Sequence, residues 1–215
     1  MLIPKIIWYI SVWSVLLPFL TGILLYRRLD HHSRIIFAIV VAAIPPQLLT
    51  LPFPHSGTLD ILYNIYTILE FVLVYFLFAG SITGTLKKAF LAPFFPFLAF
   101  VTYSIYSQGL KPYFNEWVCA ANIAYLYWMF LFVLECLDRD MKWLDTGLPI
   151  FWYCSALILY APCTVFVFSL YAYIDRSTNP FIHRLWSIHG IFNTSMYVMF
   201  AIGLARNPIR IKNNF

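Results

Sequence analysis

Apolar runs close to twenty residues long recur seven times along the chain, at about 6–26, 35–53, 60–80, 89–107, 114–137, 148–173 and 185–205. A helix of about 20 residues rises roughly 30 Å, the thickness of a bilayer's hydrocarbon core. Short polar connectors at 27–34, 54–57, 85–88, 108–112, 138–146 and 175–183 punctuate the runs. The pattern predicts an all-α integral membrane protein, a bundle of seven transmembrane helices. No connector exceeds about a dozen residues, so residues 1–215 read as a single transmembrane domain, with any function inside the bundle or on what it touches. Pro93 and Pro96 are placed to break the fourth helix, a break that neighbouring helices in a membrane can absorb.

Composition sharpens this picture. The chain is 62% hydrophobic and only 11% charged, against about 25% charged in soluble domains. A net charge of +5 points to no nucleic acid here, because the bases fall in the connectors and so set topology. Ten of the 14 Lys and Arg residues lie in the connectors after runs one, three and five and at the C-terminal end; four lie on the opposite side. The excess of positive charge on one side predicts the N-terminus outside and the C-terminus in the cytoplasm. Lys5 precedes the first run and no small-residue cleavage site follows it, so that run is expected to stay as a span. Cys119, Cys136, Cys154 and Cys163 match no paired or zinc-binding spacing and read as buried thiols.

The chemistry lies in the polar residues inside the runs. Glu70 stands ten positions into the stretch 60–80, about 15 Å from the membrane surface. A charge at that depth costs on the order of 3 kcal/mol, so a carboxyl there needs a partner or a purpose. Tyr63, Asn64, Tyr66, Thr67 and Glu70 fall within an arc of about 160° on the third helix, a face expected to turn inward. On the last helix Trp186, His189, Asn193 and Tyr197 stack at i, i+3, i+7 and i+11. Asn122 and Tyr125 of the fifth run and Gln47 of the second lie at similar depth. Taken singly, Gln47, Asn122 and Thr194 suit hydrogen-bonded helix packing. Glu70 and His189 exceed that need, since an amide would serve. Glu70 is expected to act as a hydrogen-bond donor or as a proton-linked switch for which His189 is a candidate partner, in a pocket lined by Tyr63, Asn64, Thr67, Glu70, Asn122, His189, Asn193 and Tyr197. Glu135, beside Asp138 and Arg139, is placed to reach the interface, and His31 and His32 read as solvated connector residues.

Several chemistries are excluded. All six lysines sit at or beyond run ends, so no Schiff-base lysine is available for retinal. One deep histidine is too few for an intramembrane zinc hydrolase, and neither an intramembrane aspartyl pair nor an HExxH, P-loop or GxSxG motif occurs. The expectation is a protein that is not an enzyme and uses no cofactor or metal.

The segments LWSIHGIFNTSMYVMFAIGLAR at 185–206, YNIYTILEF at 63–71 and NIAYLYWMF at 122–130 resemble small uncharacterised seven-helix bacterial membrane proteins associated with sensor histidine kinases. The resemblance implies a receptor-like bundle in the bacterial inner membrane whose tail at 206–215 couples to a separate signalling partner such as a histidine kinase. Asn64, Asn193, Pro18, Pro45, Pro46 and Pro162 also resemble, in layout, the SWEET and PQ-loop transporters, although the fifth run has no interior proline. Three functions follow as expectations: a receptor-like module with an outward-facing pocket for a small ligand or partner helix, a small-solute transporter with a midplane site, or a structural subunit of a membrane complex. The inner ends of the third and seventh runs, 72–78 and 198–204, are nearly all apolar, which favours the first.

Overall fold

A computed structural model describes residues 2–51, 57–83, 86–110, 113–139, 144–170 and 184–206, with Leu2 and Ile3 described in backbone only. Seven helical segments are long and apolar enough to cross a membrane: Pro4–Arg28, His31–Leu49, Gly57–Ala79, Leu86–Gln108, Asn115–Asp138, Pro149–Ser169 and Leu185–Ala205. No strand occurs among the described residues. This is the all-helical architecture of an integral membrane protein, and its outer surface agrees: Leu24, Tyr103 and Tyr106 are among many large apolar side chains left exposed.

Local chemistry explains where helices start and break. The second span begins at His31 and not at the apolar run, because the Asp30 carboxylate accepts the Ser33 backbone N–H at 2.8 Å and caps the helix. His31 and His32, expected in a solvated connector, therefore form the first turn of that span, and His32 Nε2 lies 3.3 Å from the Ser81 hydroxyl. In the first span the α-helix is interrupted at Val15, between Leu2–Ser14 and Leu16–Leu25. Pro18 has no N–H to bond four residues back and its ring crowds that carbonyl. The fourth span is broken as its prolines predict, into Leu86–Phe90 and Phe94–Gln108. Carbonyls near the break find donors on the fifth span: Trp128 Nε1 donates to the Phe90 carbonyl at 2.8 Å and the Tyr127 hydroxyl to Ala89 at 3.1 Å.

The spans are not arranged simply in chain order. Spans one, two, three, five, six and seven close a ring in that sequence, and the second also touches the sixth and seventh across it. The fourth packs outside the ring against the fifth, with Phe94 and Phe97 stacked on Phe71 of the third, the closer pair at 3.8 Å between centroids. Between lipid-like surfaces helices gain most from close van der Waals approach, and glycines permit it. A Cβ at Gly203 would overlap the Tyr153 ring, and one at Gly190 would press on Ile7 and Ser11. At that end of the ring Tyr153 and Ser33 share a buried hydroxyl–hydroxyl bond of 2.6 Å, tying the sixth span to the second.

Candidate functional site

Helix geometry brings Glu70 to the ring's interior. It is the fourteenth residue of Gly57–Ala79, and Tyr66 lies one turn earlier on the same side. The Tyr66 hydroxyl donates to Glu70 Oε1 at 2.6 Å, a short and strong bond. The Tyr125 hydroxyl, from the fifth span, approaches Oε2 at 3.4 Å, the long limit for such a bond. Tyr160 of the sixth span and Tyr197 of the seventh lie within electrostatic reach of the same carboxyl. Gln47, from the second span, is within hydrogen-bonding reach of Tyr197. Phenols of two spans thus bond the acid, with those of two more in its electrostatic neighbourhood. Tyr125 and Tyr197 are fully buried, while Glu70, Tyr66, Tyr160 and Gln47 keep part of their surface accessible. Among the described residues no Lys, Arg or His forms an ion pair with the carboxyl.

The other expected site residues divide between this cluster and the scaffold. Tyr63, on the same helix, shares a 2.8 Å hydroxyl bond with Thr50 and packs edge-on to Tyr113 at the rim. The Asn64 amide donates to the Leu110 carbonyl at 3.0 Å and its oxygen accepts the Phe114 N–H at 3.2 Å, so it fastens the approach to the fifth span. Thr67 bonds back to the Tyr63 carbonyl, and Asn122 to that of Val118, each within its own helix. The Asn122 oxygen is buried without a partner. Asn193 turns to the first span, donating to the Ser11 hydroxyl at 2.9 Å in a buried bond.

His189 does not pair directly with Glu70: no hydrogen bond or ion pair joins them among the described residues. Its ring instead packs against Tyr160, Phe168 and Trp186 with centroids 5.6, 5.3 and 6.1 Å apart. Tyr160 thus packs on the histidine and lies within electrostatic reach of the carboxyl. Among the described residues His189 Nε2 is buried without a hydrogen-bond partner, while the Thr164 hydroxyl lies one turn beyond Tyr160 and interacts with it. Tyr160 is the residue that the sequence reading missed. The available signal was depth, since it stands ten residues from the end of Pro149–Ser169, level with Tyr125 and Glu70.

Towards the other end of the spans the buried side chains are aromatic and aliphatic. Phe71 stacks on Phe97 and contacts Trp128 at 4.9 Å, and Leu77, Phe78, Phe200 and Leu204 are fully buried. Glu135 lies at the far end of the fifth span, accepting from Thr83 at 2.7 Å and paired with Arg139 at 2.6 Å; it belongs to a separate cap. The four cysteines are free; Cys136 and Cys154 are buried, Cys119 and Cys163 partly so. Compared with protein-family models, curated proteins and solved structures, the chain matches none.

Proposed function

We propose that this chain is a receptor-like membrane protein that holds a small ligand against Glu70 in an outward-facing pocket. The observation that carries the reading is the approach of phenol hydroxyls from the third and fifth spans to one mid-span carboxyl that has no basic partner among the described residues. Such a site favours a ligand offering a hydrogen-bond donor, a protonated amine above all. Its positive charge would offset the cost of a carboxylate at that depth, and aromatic rings stabilise the same charge. Tyr63, Tyr66, Tyr125, Tyr160, Gln47 and Tyr197 surround the ligand. Asn64, Thr67, Asn122, His189 and Asn193 hold the frame.

The charge bias of the connectors supports an N-terminus outside and a C-terminus in the cytoplasm, so the pocket opens away from the cell. The buried aromatic and aliphatic side chains towards the other end of the spans support a receptor over a transporter, which needs a polar route through that half. The resemblance noted above supports a bacterial inner-membrane setting and coupling to a separate signalling partner such as a histidine kinase. The tail at 207–215 that would carry such coupling lies outside the described residues.

The test combines access with binding. In a background without native cysteines, Gln47→Cys is expected to react with a membrane-impermeant thiol reagent from the outside and not from the cytoplasmic side. A panel of small protonated amines is then screened for thermal stabilisation of wild type and Glu70→Gln. At least one amine should stabilise wild type alone. Reaction from the cytoplasmic side only, or equal stabilisation of both proteins, would overturn the reading, and amine uptake into proteoliposomes would replace the receptor with the transporter.

A further inference from the structure

A second site stands away from the Glu70 cluster, where the first span ends. An open groove of about 510 Å³ lies where the end of the first span meets Phe37 of the second, lined by Ile23, Leu24, Tyr26, Arg27, Arg28 and Phe37. Gly22 makes room for its inner wall: the Phe37 ring occupies the place a side chain would take there. That ring also packs with Phe19 at 6.2 Å and Tyr26 at 5.7 Å. The outer wall, Ile23 and Leu24, is exposed to the hydrocarbon-like surface. The α-helix gives way to a 3-10 turn at Tyr26–Arg28, setting two consecutive arginines at the mouth. Both are exposed and, among the described residues, neither has an ion-pair partner. The acid next along the chain, Asp30, is engaged in capping the second span.

We propose that this groove binds an anionic phospholipid, its phosphate between Arg27 and Arg28 and the start of an acyl chain along Ile23, Leu24 and Phe37. The parts fit that one molecule. The apolar wall continues into the surface that lipid tails cover, and the mouth lies at the end of a 25-residue span, level with headgroups. Helix-end carbonyls oppose an anion with about half a charge; two guanidinium groups outweigh them and match phosphate oxygens bidentately. The volume lies within the range of about 300–1,000 Å³ typical of small-ligand sites.

The purified full chain is equilibrated with phosphatidylglycerol and phosphatidylcholine of matched tails, and retained lipid is counted by native mass spectrometry. A basic residue near an anionic headgroup contributes about fivefold, so the pair predicts a preference of about 25-fold for phosphatidylglycerol, weakening as salt is raised. Arg27→Gln with Arg28→Gln should bring the two lipids close to parity. Arg34→Gln, an exposed arginine outside the groove, should leave the preference intact. A phosphatidylglycerol photoprobe with a diazirine in its tail should label residues 23–37 of the wild-type chain, an arm that stands even where the double variant fails to fold. Equal retention of both lipids, a preference that survives the double substitution, or labelling confined to other segments would overturn the site. Displacement of the lipid by inorganic phosphate at equal concentration would also overturn it, assigning the arginines to a free anion.

Discussion

At the scale of single residues, what matters is whether a buried polar group keeps its partner. Glu70→Gln retains an acceptor for the Tyr66 hydroxyl, so it should fold and melt close to wild type while losing amine-dependent stabilisation. Glu70→Leu strands that hydroxyl, and should lower stability by about 1–3 kcal/mol, read as a drop in melting temperature in detergent. The contrast separates the carboxyl's charge from its role as an acceptor. Asn193 makes the opposite case. Its bond to Ser11 is helix-to-helix packing, so Asn193→Ala should leave amine binding unchanged. In a double-mutant cycle with Ser11→Ala the coupling should be about 0.6 kcal/mol, the usual worth of such bonds in membranes. Position along the helix did not distinguish the two residues. Glu70 and Asn193 both sit on faces that the spacing marks as polar, and only the neighbour across the gap tells them apart: phenols for Glu70, the Ser11 hydroxyl for Asn193.

At the scale of elements, proline and glycine set shape while aromatic donors repair it. The break between Leu86–Phe90 and Phe94–Gln108 is legible in Pro93 and Pro96, yet what holds it is Trp128 on another span. Trp128→Phe removes the donor to the Phe90 carbonyl, and should raise hydrogen–deuterium exchange over 86–93 before other segments respond. Gly203→Leu should be costlier, since the new side chain meets the Tyr153 ring and forcing atoms into a packed core costs about 1–3 kcal/mol. It should also part Tyr153 from Ser33, loosening the sixth span from the second. The polar face of the last span divides at this scale too. His189, Asn193 and Tyr197 lie within about 80° of arc, but that arc borders the sixth span, the first span and the interior in turn.

At the scale of the whole molecule, the spans form a ring of six with the fourth outside it. Spans three, five, six and seven supply the phenols because the fourth is displaced, leaving the third against the fifth. The positive charge bias predicts that a reporter fused after Ala205 is active in the cytoplasm and one placed ahead of Pro4 outside. The reverse result would turn the pocket towards the cytoplasm and remove the case for a receptor facing outward.

Sequence alone determined that seven helices are long and apolar enough to cross a membrane, because apolar length must match hydrocarbon thickness. It determined that the fourth helix breaks. Only the tertiary structure decided which groups meet. Helical periodicity gives the direction a side chain leaves its own axis, whereas neighbours are chosen by how closely helix surfaces pack. Gly190 and Gly203 fix that approach, bringing the first span with Ser11 to Asn193 and the sixth with Tyr153 to the seventh, while His189 packs on Tyr160, Phe168 and Trp186.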